Sequence, residues 1–436
     1  MGFRTRVFVM GFRTHVFGAV LAAFAAMFAA PVLAAERTVV VVLFDGFSPA
    51  MTDATKVPNL DEIKREGAWS RHLIPAFPTV SMINHTTFAT GCWPEHHGIL
   101  SNIFYDPKRG RFDQNATLPS ADADWHTGCE AMWEAAERQG VRSAVFNWAG
   151  RWSTQRGKLA TYANPIVPFE QEPTDDQITD RAIKLLQDNG PNHPRLIALY
   201  MQGPDEFAHY HGLTSPETLA AVRHADAIVG RLMSALRALR KGRDGTLIVG
   251  TDHGMINVGP LIDVGRLMNK YDIKARQATD GGTAFLYLDK DESADRVEKV
   301  LAPYSAVFKV YRKGHFPAYA HWGNGPRVPD ILLLTHPPYW IVGPEVFPVW
   351  ADMLGVNLFW SPIFTPFTGG LKATHGYDPN IVQMHGIFYA WGSGIAKGKE
   401  VPRLDMVDIQ PTVMSLLGVG PGKPTDGKIL TNALAN

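Results

Sequence analysis

The chain has 436 residues, a formal net charge of zero from 42 basic and 42 acidic side chains, and 45% apolar residues. That is enough apolar material for a large folded core and excludes a disordered chain. With no charge excess and no basic run, nothing argues for a standing nucleic-acid partner, and none is expected.

Residues 1–35 read as a signal peptide. "MGFRTRVFVMGFRTHVF" carries Arg and no acid, and the small-residue apolar run "GAVLAAFAAMFAAPVLA" follows. Val32 and Ala34 fit the cleavage rule, with a mature start near Ala35 or Glu36. A membrane anchor is the alternative, but the run is short for a span and no later segment supplies about 18 uninterrupted apolar residues. The mature protein is expected to be periplasmic or secreted and not membrane-spanning. The first buried-strand signal is "TVVVVLFDG" (38–46). "FPTVSMINHTTFATG" (77–91) then reads as a turn opening a helix over 82–90. A hydroxyl at such an opening is either a cap or a nucleophile at the helix's positive end. Cys92 and Cys129 are the two cysteines. An oxidising compartment permits a bridge, and sequence alone does not pair them.

Further on, "TDDQITDRAIKLLQDNG" has an N-terminal Thr, early acids and a closing Gly, the marks of a helix. A strand follows over 195–206, then a helix in "SPETLAAVRHADAIVGRLMSALRALRKG" with one apolar face, then a strand over 246–254. Later strand signals lie at 283–289, 330–336 and 386–392, and "DMVDIQPTVMSLLGVG" reads as a closing helix. This alternation predicts an α/β fold with a doubly wound, mainly parallel sheet and helices on both faces, with sites at the carboxyl ends of the strands. The segment 257–370 differs: it mixes strand-like pieces, many prolines and an aromatic-rich run at 338–364. It is read as an inserted α+β cap between a first core part (36–256) and a last (371–436). Its aromatics are either cap core or a wall for an apolar or cationic substrate group.

Three strand ends finish in metal-competent residues. Asp45 ends the first. Asp205 follows a later one, with His209 four residues on and so on the same face of a helix. Asp252 and His253 end the next, in "TDHG", and His375 stands in "THGYD". Each alone has an ordinary alternative, a helix cap or a satisfied structural histidine. Together they make two compatible sets of oxygen and nitrogen donors, which suit zinc with open positions. Ser81 would stand at a helix N-terminus, where the dipole and a metal charge both favour an alkoxide. No GxSxG elbow surrounds it, which weakens a Ser-His-Asp reading.

The ordered set "LFDGF", "FPTVSMINHTTFATGCWPEHHGILSN", "GPDEFAHYHG", "TDHGM", "THGYDPN" and "DIQPTVMSLLG" resembles the nucleotide pyrophosphatase/phosphodiesterases of the alkaline phosphatase superfamily, over about residues 38–418. The resemblance implies an alkaline-phosphatase-like core, an inserted cap and two Zn2+ ions. It places Asp205, His209 and His375 on one zinc and Asp45, Asp252 and His253 on the other. Ser81 is then the nucleophile touching the second zinc, and Asn102 binds a phosphoryl oxygen. The implied reaction is two-step hydrolysis of a small-molecule phosphodiester or pyrophosphate through a phospho-Ser81 enzyme. Two departures stand out. The family's usual nucleophile is Thr, in a "TxTFPNH" pattern, where this chain has "TVSMINH", so Thr79 is a lesser candidate. "NWAGRW" replaces the family's "WPG" stretch, and Arg151 adds a cation there. Arg151 is either a surface or ion-paired residue or a substrate-binding one. The rival reading is therefore a phosphomonoesterase that uses Arg151. A non-catalytic binding protein with a decayed site is disfavoured by the intact ligand set.

Overall fold

Val39 to Phe44 are all buried, so the first strand, β1 (Glu36–Asp45), is covered on both faces. An unbroken apolar run of this kind belongs in the middle of a sheet with helices above and below it. Along β1, Val39, Val41 and Leu43 face one core cluster while Val40, Val42 and Phe44 face another. The computed structural model describes residues 1–2, 36–114, 125–126, 128–168, 171–343, 364–365 and 371–435. The expected signal peptide, apart from residues 1–2, and most of the aromatic-rich 338–364 segment lie outside these.

The other central strands, in chain order, are β2 (Ala68–Ile74), β3 (Ser143–Phe146), β4 (Tyr162–Ala163), β5 (Leu196–Pro204), β6 (Arg243–Thr251), β7 (Gly386–Gly392), β8 (Lys399–Glu400) and β9 (Leu404–Asp405). Their order across the sheet is β8-β2-β7-β6-β1-β5-β3-β4, with β9 beside β2. The pairs β1–β5, β5–β3, β3–β4, β2–β8 and β2–β9 are parallel, while β7 runs antiparallel to both its neighbours. The fold is mixed α/β with a central, mostly parallel sheet, as expected. One face is covered by α1 (Ser81–Thr90) and α5 (Ile409–Leu416), through Phe88, Val413 and Met414. The other is covered by α2 (Asp175–Gln187) and α4 (Pro216–Arg237), through Ile178, Val222 and Val229. The short α3 (Asp205–His211) leaves the end of β5 directly. Thr174 and Gln177 close a capping box on α2.

The segment expected as a cap contains a four-stranded antiparallel sheet, in the order Ala275–Asp280, Thr283–Leu288, Ile331–Thr335, Phe308–Arg312. One face packs on helices Val264–Tyr271 and Ala294–Leu301, through Leu267, Val297 and Leu301. The other face sets Phe285, Leu332 and Leu334 against Phe77, Val80 and Ile83. This second sheet therefore backs the turn that opens α1, the helix carrying Ser81.

Candidate active site

The turn into α1 is held by Asn84. Its Oδ1 accepts from the Ala76 N–H at 2.7 Å and its amide donates to the Val80 carbonyl at 2.9 Å. Within α1, Thr86, Thr87 and Thr90 each donate a hydroxyl to the carbonyl four residues back. The hydroxyl-rich helix can thus be buried without orphan donors. Ser81 is the exception: it is the first helical residue, preceded by Val80 as N-cap, and its Oγ lies 3.4 Å from His253 Nε2. Thr79, the lesser candidate, is fully buried; its Oγ1 donates to the Tyr377 carbonyl and accepts from the Gly376 N–H.

The expected ligands converge on this point. Asp205 Oδ2 is 3.1 Å from His209 Nε2, and Asp205 Oδ1 is 4.0 Å from His375 Nε2. His253 Nε2 is 3.4 Å from Asp252 Oδ2 and 3.5 Å from Asp45 Oδ1. Donor separations of this size match the edge of a tetrahedron with bonds of about 2.0–2.1 Å. His253 also bridges the two sets, because its ring stacks on that of His375 with centroids 3.7 Å apart. Grouped by proximity alone, the donors fall into Asp205, His253 and His375, and Asp45, His85 and Asp252. His85 was not singled out by the sequence reading. The available signal was its place one turn after Ser81, on the same face of α1.

The surroundings fit metal ions. Each expected histidine ligand gives its Nδ1–H to a backbone carbonyl: His209 to Ala373 at 2.8 Å, His253 to Gly254 at 3.0 Å and His375 to Thr79 at 3.0 Å. That leaves every Nε2 facing inward, the arrangement that orients imidazole toward a metal. Asp45 Oδ1, Asp205 Oδ1 and Asp252 Oδ2 are buried with no hydrogen-bond partner. Burial, then the charges of Asp252 and Asp205, push the Asp45 carboxyl well above its usual range. Burial pushes Asp252 the same way, but His253 and His85 outweigh it and hold that carboxyl at about 2. For His209, burial opposes the charged form, and Asp205 outweighs it to raise the ring to about 9. Three carboxylates crowded together favour a cation.

Gly46 turns the chain after β1 with φ of +59°, and a Cβ there would run into Asp205 Oδ1. The "DG" pair therefore brings the ends of β1 and β5 together. Asn102 lies beside the start of α1: its Oδ1 accepts from the Met82 N–H at 2.7 Å, which leaves the amide NH2 as its donor. Burial pushes the carboxyl of Asp280, from the second sheet, up to about 7, against the opposing influence of His209 and then Asn102. Arg151 borders the cavity, but its guanidinium donates to the carbonyls of Trp148, Asn164 and Pro165 and to Glu172 at 2.5 Å. Cys92 and Cys129 form a disulfide.

The cavity over Ser81 holds about 590 Å3. Among the described residues its apolar side comes from Trp152, Ile166, Val167, Tyr210 and Leu371. The described residues 338–343 do not line it.

Residues 39–378 match the family model for type I phosphodiesterase/nucleotide pyrophosphatase. Ectonucleotide pyrophosphatase/phosphodiesterase family member 7 of Rattus norvegicus is 28% identical over 402 residues, 90% of this chain and 85% of that protein. An uncharacterized pyrophosphatase/phosphodiesterase of Schizosaccharomyces pombe is 28% identical over 405 residues, 90% of this chain and 79% of that one. The solved structure of murine ectonucleotide pyrophosphatase/phosphodiesterase 5 shares the fold, with a TM-score of 0.77 and 23% identity over 91% of this chain and all of that one. With the family model matching most of its length, this chain belongs to the type I phosphodiesterase/nucleotide pyrophosphatase family and is an enzyme of that class.

Proposed function

We propose that this enzyme hydrolyses phosphodiester or pyrophosphate bonds of small nucleotide-like substrates through a phospho-Ser81 intermediate, with zinc as the ion in both donor sets. The observation that carries the reading is the position of Ser81 Oγ. It stands at the start of α1, 3.4 Å from His253 Nε2, and borders the cavity that Asp45, Asp205 and His209 also line. Asp45, Asp252 and His253 would hold one ion and Asp205, His209 and His375 the other. When bound, such a pair supplies Lewis-acid stabilisation for the attacking and leaving oxygens of an in-line displacement.

Ser81 Oγ attacks phosphorus as its proton leaves to solvent, and the bond from phosphorus to the leaving oxygen breaks. Water then cleaves the phosphorus–Oγ bond and restores the serine. The positive end of α1 favours the anionic oxygen, and the Asn102 NH2 offers a hydrogen bond to a nonbridging oxygen as charge shifts there.

Preference for a diester over a monoester is supported by two features. A monoester dianion needs an extra positive partner, and the Arg151 guanidinium is engaged by three carbonyls and Glu172. A diester brings a second organic group, and Trp152, Ile166, Val167 and Tyr210 offer it an apolar wall. The test is kcat/KM for bis-p-nitrophenyl phosphate against p-nitrophenyl phosphate, with the diester favoured by at least about tenfold, roughly 1.4 kcal/mol. A monoester preference would establish the rival. Export to the periplasm or medium belongs to the same proposal. It is supported by the leader-like 1–35 and by the disulfide, which needs an oxidising compartment. N-terminal sequencing of the mature protein should begin near Ala35 or Glu36.

A further inference from the structure

His85 sits fully buried on α1 and belongs to neither donor set carried over by motif. Neither of its ring nitrogens makes a hydrogen bond, although both are buried. Such an atom pair is costly unless something completes it. Its Nε2 is 3.3 Å from Asp252 Oδ2, itself buried and without a hydrogen-bond partner. The other oxygen of that carboxylate is already taken: Oδ1 accepts from the backbone N–H groups of Gly46 and His253. The neighbouring carboxylate has a comparable support, because Tyr200 donates its hydroxyl to Asp45 Oδ2 at 2.5 Å. The His85 and Tyr200 rings touch, with centroids 4.4 Å apart, and the Trp148 ring meets His85 edge-on with centroids 6.5 Å apart.

We propose that His85 is a positioning residue for the metal centre formed by Asp45, Asp252 and His253. With an ion bound, the His85 Nε2–H would close on Asp252 Oδ2, now 3.3 Å away, and fix the direction from which that oxygen meets the ion. His85 and Tyr200 then act as two touching supports, one for each carboxylate of the centre. Because His85 lies one turn after Ser81 on the same helix, α1 would set the nucleophile and the metal-ligand geometry together. The inference rests on the metal-binding reading of the site. Outer partners of this kind are worth roughly 10–100-fold in metal affinity.

The test uses the full mature chain, stripped with chelator and titrated with zinc against a chromogenic competitor. His85→Phe keeps the ring packing on Tyr200 and Trp148 and removes the N–H; His85→Gln restores a donor. The wild type should take up two ions. His85→Phe should melt, metal-free, within a few degrees of the wild type, yet bind one of the two ions roughly 10–100-fold more weakly. His85→Gln should recover part of that loss. Unchanged affinity for both ions in His85→Phe would overturn the proposal while leaving the metal reading intact. Absence of zinc uptake by the wild type would overturn both. X-ray absorption showing one imidazole fewer at the metals of His85→Phe would also overturn it, because His85 would then be a ligand.

Discussion

At the scale of single residues, Ser81 was legible because it stands where a helix opens, and that position can be read from Pro78 and the hydroxyl-rich run after it. His85 was not legible, because a histidine inside a helix looks alike whether it faces solvent, core or a carboxylate. Its partner Asp252 comes from a strand end far along the chain. If Ser81 is the attacking residue, Ser81→Ala should nearly abolish phosphodiester turnover and leave zinc stoichiometry and melting temperature close to wild type. Ser81→Thr should retain part of the rate. Full activity in Ser81→Ala would move the chemistry elsewhere, but Thr79 is poorly placed to inherit it, since its hydroxyl is engaged by Tyr377 and Gly376. Arg151 was ambiguous in sequence for a simple reason: a lone arginine does not reveal its acceptors. The acceptors turned out to be three carbonyls and Glu172, all placed by loops.

At the scale of elements, the long buried strands were read close to their observed positions because an unbroken apolar run has few other uses. The central strands β2 and β3 were missed. β2 carries Arg71 and His72 in "AWSRHLI", and β3 is four residues long and owes its existence to pairing with β5. The strand Ala275–Asp280 reads "ARQATD", with hardly any apolar signal. The helix α1 has a second anchor with a pH signature. His97 is buried; its Nδ1 accepts from the Ile99 N–H at 3.1 Å, so its Nε2 carries the proton given to Thr87 Oγ1 at 3.0 Å. Burial, with the positive fields of His126, His96 and Arg327, lowers this ring to about 3 from an ordinary 6.5. Below pH 6.5 the unfolded chain binds a proton that the folded state refuses. Stability is therefore full above about 6.5 and falls toward pH 3, by up to roughly 1.4 kcal/mol per pH unit from this group. Urea midpoints of the chelated protein between pH 7.5 and 4.5 should show a shallower acid slope in His97→Gln than in wild type. Parallel slopes would remove His97 from the account.

For the molecule as a whole, the site is assembled from pieces that meet only when the sheet closes. Asp45, Asp205, Asp252 and His253 arrive at the carboxyl ends of β1, β5 and β6, as the strand signals implied. His375 arrives by a different route, on a loop that follows the second sheet in the chain, and no periodicity foretells where that loop lands. The second sheet decides it. Gly281, in the turn between Ala275–Asp280 and Thr283–Leu288, has φ of +55°, and a Cβ there would collide with the His375 carbonyl. From the other side, the Gly376 N–H and the His375 ring both donate to the Thr79 carbonyl, just before α1. The His375 loop is thus clamped between the second sheet and the turn that opens α1. Gly281→Ala should strain the backbone and push this loop away while touching no ligand of the other set. Zinc titration should then show the Asp205, His209 and His375 ion weakened by at least about tenfold, roughly 1.4 kcal/mol, with the second ion nearly as tight as in wild type. His375→Ala should give the same one-sided pattern by removing the ligand itself. Wild-type affinity for both ions in Gly281→Ala would show that the second sheet does not set the loop. Equal loss of both ions in His375→Ala would contradict the division of ligands, and the stacking of His253 on His375 would then couple the two centres into one.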